Sequence, residues 1–217
     1  MAEVAFSTLV PRLYASVPGC PQPTMLTHLR DAAIQVCERT LAYRYKMPAV
    51  TMVADTYGYD FDVPVATEVH AIFAATSNDC PLDLLTMEQA TDAFPEWISG
   101  GTTNASSPRA VAQINGDQFN ILPVPDDATT YEVAMFLALK PLRTATTMDE
   151  VPLGELEDVI VHRALQTLLT LPAMPWTNFD LATYHAKQFT FFTSERRARA
   201  NLGNARGSMR VRANPLA

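Results

Sequence analysis

Hydrophobic and polar positions divide the chain into three stretches with different periods. In "TMLTHLRDAAIQVCERTLAYRY", Leu26, Leu29, Ala33, Val36 or Cys37, and Thr40 recur every three or four residues. Thr27, Asp31, Gln35 and Glu38 take the opposite side. That spacing predicts a helix with one buried stripe, and Pro23 and Thr24 mark its start. Before it, "EVAFSTLVPRLYASV" reads as a short helix or two turns broken near Pro11, and "VPGCPQP" as a rigid loop.

From Pro48 to Leu142 the pattern shortens. "AVTMVAD", "YGYDFDV", "TEVHAIFAAT" and "CPLDLLT" are rich in Val, Tyr, Phe and Thr and bounded by Gly, Pro and Asp, so they predict strands. Tyr59 and Phe61 alternate with Asp60 and Asp62, inside against outside. "TMEQATDAF" predicts a short helix and "SGGTTNASSP" a loop. "RAVAQINGDQFNILPVP" predicts a hairpin on Asn115-Gly116, a pair suited to positive φ. "TYEVAMFLALKPL" follows as a strand after a turn at Asp126-Asp127.

The helical period then returns. "VPLGELEDVIVHRALQTLLTL" opens with Pro152 and the acids Glu155, Glu157 and Asp158, which suit a helix N-terminus. Its apolar residues cover more than one face, predicting a central helix. Thr177 and Asp180 have capping-box spacing, and a long helix runs from there to Leu202, stopped by Gly203. Ala182, Ala186, Phe189 and Phe192 can form its buried stripe.

Helices, then strands, then helices predict an α+β protein. A helical bundle from the N-terminal (1–47) and C-terminal (143–203) helices carries an inserted antiparallel β module (48–142). An extended C-terminal arm (204–217) follows.

Charge changes this picture at one end. The 217-residue chain has a net charge of −7. Residues 1–194 hold ten Lys/Arg against twenty-two Asp/Glu, −12, whereas 195–217 hold six Arg against Glu195, +5. Such asymmetry marks an interaction segment. Arg196, Arg197 and Arg199 end the long helix, where cations offset its dipole. Arg206, Arg210 and Arg212 lie beyond Gly203. Met209 and Val211 alternate with Arg210 and Arg212 like a strand in need of an edge. As a nucleic-acid arm the tail lacks aromatic platforms and lysines. A nucleic-acid-binding accessory protein is nevertheless the alternative reading.

Catalytic chemistry is not encoded in any recognisable spacing. Phosphate-binding, zinc-protease and nucleophile-elbow motifs are missing. No cofactor or metal is expected. His28, His70, His162 and His185 are isolated in sequence, although His162 and His185 lie on neighbouring predicted helices and could meet. They read as polar-face or satisfied core histidines, with a zinc or acid–base role, and so a small metal-dependent enzyme, as the alternative. Asp55, Asp60 and Asp62 lack calcium-loop spacing. Trp97 and Trp176 read as packing residues. Cys20, Cys37 and Cys80 have no metal spacing and read as free thiols in a reducing compartment. Neither a secretion signal nor a membrane span is expected.

Two groups of motifs resemble a known family. "VPGCPQPTMLTHLRDAAIQVCERT" is similar to the opening of the head-to-tail adaptor (connector) proteins of tailed bacteriophages. "KPLRTATTMDEVP", "LPAMPW" and "RRARANLGNARGSMRVR" resemble their ending, in the same order. The likeness is weakest in the β region. It implies a non-enzymatic structural protein of the virion neck, made in the bacterial host cytoplasm. It implies a dodecameric ring beneath the portal protein, bearing the tail nozzle or tail-tube protein and extending the channel for genomic DNA without sequence-specific binding. By the same resemblance Arg206, Met209, Arg210, Val211 and Arg212 are portal-docking candidates. The β region 48–142, with its loop 99–108, becomes the tail-side and inter-subunit surface.

Overall fold

The computed structural model describes residues 2–95, 107–125 and 131–203. Within them the mixed α and β content expected from the sequence is present: five α-helices and nine strands. Trp97, Asp126-Asp127, most of the loop 99–108 and the whole arm 204–217 lie outside the described residues.

The opening segment differs from expectation. It forms a strand, β1 (Glu3–Ala5), a 3-10 turn (Phe6–Leu9) and a short helix, α1 (Val10–Tyr14). Pro11 does not break α1. It sits in the first turn, where its missing N–H removes no helical bond. α2 (Gln22–Thr40) buries Met25, Leu29, Ala32, Ala33, Val36, Cys37 and Thr40, while Leu26 is only half-buried. It ends on Leu41, whose φ of 54° turns the chain sharply into the sheet.

Seven strands form one sheet in the order β2-β8-β4-β5-β6-β7-β3. They are β2 (Arg44–Thr51), β3 (Gly58–Asp60), β4 (Thr67–Ser77), β5 (Cys80–Leu85), β6 (Ala110–Gln113), β7 (Gln118–Leu122) and β8 (Glu132–Pro141). β2 begins before Pro48, which the strand tolerates because the register shifts between Met47 and Val50. The expected all-antiparallel module is corrected at one place: β5 and β6 pair in parallel. The chain between them carries α3 (Met87–Ala93), and a parallel pair needs such a crossover.

Asn115-Gly116 does connect a hairpin, but not with positive φ. The Asn115 side chain instead accepts hydrogen bonds from the Asp117 and Gln118 N–H groups, both at 2.8 Å. Gly116 instead faces a close neighbour. A Cβ there would stand 3.1 Å from Glu68 Oε2 and 3.3 Å from Glu68 Cβ on β4. The two-residue turn with positive φ throughout is Asn78-Asp79, at 46° and 63°, between β4 and β5.

A small ribbon pairs β1 with β9 (Thr147–Asp149) and ties the N-terminus to the start of the next helix. α4 (Glu150–Leu169) buries nine residues from Leu153 to Leu169 and packs between α2 and α5 (Phe179–Leu202). The cap of α5 is Asn178, which accepts from Leu181 N–H at 3.0 Å. The expected capping box at Thr177 is absent, because that hydroxyl donates to the Leu171 carbonyl. Its buried stripe is Ala182, His185 and Phe189; Ala186 and Phe192 are half-buried. One core runs continuously from α1, α2, α4 and α5 into β2, β4 and β8.

Candidate functional site

The arm leaves the described structure at the C-terminal end of α5, so the surroundings of that end are the candidate site. Gly203, φ 68°, closes α5 by donating its N–H to the Arg199 carbonyl at 2.9 Å. The last turns of α5 lie beside α4, and between them opens a recess of about 180 Å³. Arg196, Arg199, Arg44, Glu155 and Leu156 contribute to its wall.

Of the expected helix-end cluster, Arg196 is half-buried, and Arg197 and Arg199 are exposed. The Arg196 Nε is fully covered and has no hydrogen-bond partner among the described residues. Arg196 and Arg199 share the recess, whereas Arg197 does not line it. At 100° per residue Arg197 lies on another side of the helix from Arg196. Arg206, Met209, Arg210, Val211 and Arg212 lie outside the described residues.

Sequence reasoning missed Arg44. The sharp turn at Leu41 delivers it to the start of β2. Its guanidinium lies 4.6 Å from the Phe73 ring centroid and 5.8 Å from that of Phe136, two rings that also touch each other, so it makes cation–π contact with the pair. Only spatial neighbours across β2, β8 and β4 create that contact, so no local signal announces it. The recess wall thus carries three arginines, Arg44, Arg196 and Arg199, and one acid, Glu155.

His162 and His185 do meet. Their Nδ1 atoms are 2.8 Å apart, so one ring donates to the other. His162 stacks on Phe192 at 5.5 Å, and Tyr184 meets both rings edge-on. Burial holds both imidazoles below the usual histidine range. For His162, Asp158 opposes that shift and Arg12 adds to it; for His185, His162 adds to it. No group of three or more His, Cys, Asp or Glu side chains that could hold a metal occurs among the described residues. The pair reads as packing between α4 and α5.

Other buried polar contacts are structural. Tyr43 donates to Asp149 at 2.8 Å, which fastens β2 to the start of α4. Lys140 bridges Glu38 on α2 at 2.8 Å and Glu68 on β4 at 3.3 Å. Burial alone would lower that ammonium, but the two carboxylates outweigh it and hold Lys140 above its ordinary value.

The site is thus an arginine-rich recess at the C-terminal end of α5. The family model described as SU10 adaptor protein matches residues 6–214, nearly the entire chain. The chain belongs to the SU10 adaptor protein family. This agrees with the phage head-to-tail adaptor resemblance carried by the motifs at its two ends, and membership implies a structural protein rather than an enzyme. No curated protein matches it. No helix among the described residues is long and apolar enough to cross a membrane.

Proposed function

We propose that this SU10-family adaptor is a structural component of the virion neck, forming a dodecameric ring between portal and tail. The observation that carries the reading is the family match across residues 6–214. The ring extends the channel through which genomic DNA passes without sequence-specific binding. In this reading residues 1–47 and 143–203 form the portal-side body, and 48–142 offer the tail-side surface to the tail nozzle or tail-tube protein.

The arm 204–217 docks the portal, with Arg206, Arg210 and Arg212 as charge contacts and Met209 and Val211 as apolar anchors. Two features support that assignment. An acidic body with a basic end supplies complementary surfaces and suppresses wrong contacts. The arm also begins at a recess where cations outnumber acids.

Electron microscopy of the protein mixed with portal rings tests the proposal. Full-length protein is expected to decorate portal, and protein lacking 204–217 to bind far more weakly. Equal binding by the truncated protein would refute arm docking. Salt-dependent DNA binding that vanishes on the same deletion would favour a nucleic-acid arm.

A further inference from the structure

The helical layer has two flanks, and each presents an apolar feature at its surface. On α5, Ala182, His185 and Phe189 face the core. At 100° per residue, Tyr184, Phe191, Ala198 and Leu202 fall on a line roughly 150° away from that face. Tyr184 is 51% exposed, Phe191 64% and Leu202 63%. Covering them would remove on the order of 300 Å² of surface from water, as large as the biggest apolar patches of ordinary monomers.

The other flank is α2. His28 bonds Thr167, Gln35 accepts from Arg163, and Arg39 stacks on Phe189, so one side of α2 faces α4 and α5. Pro23, Leu26, Thr27 and Arg30 lie on the opposite side by the same helical geometry. With Phe6 and Ala145 they line an apolar groove of about 350 Å³. The Arg30 Nε is covered there and has no hydrogen-bond partner among the described residues. Glu195 is exposed and sits beside the α5 stripe, within about 20° of Tyr184 in helical projection.

We infer that the α5 stripe of one copy docks in the α2 groove of the next, with Glu195 reaching Arg30. The inference rests on the ring reading above and names a subunit contact for it within the helical layer. A closed ring needs one patch set against a different patch on the far side of the same subunit. A ridge of aromatic side chains and a groove on opposite flanks meet that requirement. The charges are also complementary across the contact, which fixes orientation.

The test is sedimentation velocity of full-length protein over a concentration series, with Phe191→Glu on the stripe and Thr27→Glu in the groove. Leu26→Asp serves as a second groove variant, and thermal melts confirm that each is folded. Wild type is expected to self-associate, and each variant to do so at least ten-fold more weakly. Mixing Phe191→Glu, whose groove is intact, with Thr27→Glu, whose stripe is intact, is expected to give heterodimers and nothing larger. Self-association by Thr27→Glu and Leu26→Asp as strong as wild type would overturn the groove, because stripe-to-stripe contact would leave them unaffected. Association surviving in all variants overturns the contact but leaves the ring reading standing. Wild type that never associates overturns the contact, whereas the ring reading falls only if the full-length protein also fails to decorate portal rings.

Discussion

Acidification should loosen the contact between α4 and α5 through His162 and His185. Their Nδ1 atoms are 2.8 Å apart, so at least one ring must be neutral to accept. His185 Nε2 is covered and has no partner among the described residues. The economical arrangement has His185 donating from Nδ1 and leaving Nε2 bare. Protonating His185 would then bury an unpaired N–H, and protonating His162 would remove the acceptor. Charging both rings, 5.1 Å between centroids, costs about 3 kcal/mol at an effective dielectric constant of 20. Asp158 offsets part of that cost and Arg12 adds to it, whereas Tyr184 and Phe192 supply no charge. Because burial lowers both folded-state values, the unfolded chain binds these protons more readily. The stabilisation is therefore complete above the unfolded histidine value and is lost as pH falls below about 6.5, by at most ~1.4 kcal/mol per pH unit per ring. Urea denaturation at steps from neutral pH to about 5 should show stability falling steadily as pH drops. The double variant His162→Gln/His185→Gln should have a much shallower slope. A residual slope is expected from His28, also lowered by burial against the opposing charge of Asp31. A wild-type midpoint that stays level over this range, or equal slopes for both proteins, would refute the reasoning.

Three further outcomes are expected. Ile160→Ala on α4 removes a fully buried side chain and should cost about 2–5 kcal/mol, read from the urea midpoint; a loss under ~1 kcal/mol would mean that α4 is not central. Cys80 is exposed, whereas Cys20 and Cys37 are buried and burial pushes Cys37 up to about 12, so a thiol reagent should titrate one group rapidly and all three only after unfolding. A second fast equivalent would contradict the burial of Cys20 or Cys37. Gly116→Val should lower the melting temperature by forcing Glu68 away from the hairpin and from Lys140, at a cost of about 1–2 kcal/mol; an unchanged melt would argue against that close approach.

Elements whose stability comes from their own periodicity were legible in the sequence. α2, α4 and α5 repeat their apolar residues over several turns, and β4, β5 and β8 are long or bounded by turn residues. What was illegible depends on distant partners. β1 and β9 are three residues each and exist because they pair with one another across the chain. The parallel β5–β6 pair depends on where the crossover returns, which no local pattern states. Asn115-Gly116 was legible as a turn but not as its type, because the Asn115 side chain closes it onto the Asp117 and Gln118 N–H groups without positive φ. At the candidate site, Arg196 and Arg199 were identifiable from the arginine run. Arg44 was not, since Phe73 and Phe136 reach it from two other strands.

The packing also couples the helices of this adaptor to its sheet. β8 pairs with β2 on one side and β4 on the other, and α2 rests on its inner face over Met135, Leu137 and Leu139. Lys140 ties α2 to β4 from the end of the same strand, and Tyr43–Asp149 ties β2 to α4. A hinge between helices and sheet would have to expose this shared core and break both polar ties. Each buried Leu or Met uncovered would cost about 1.5–3 kcal/mol, so even a few exceed the ordinary margin of domain stability. Helices and sheet therefore respond to load as one body. Adaptability is left to surfaces that the core does not use: the flanks of α2 and α5, and the basic recess where the arm begins.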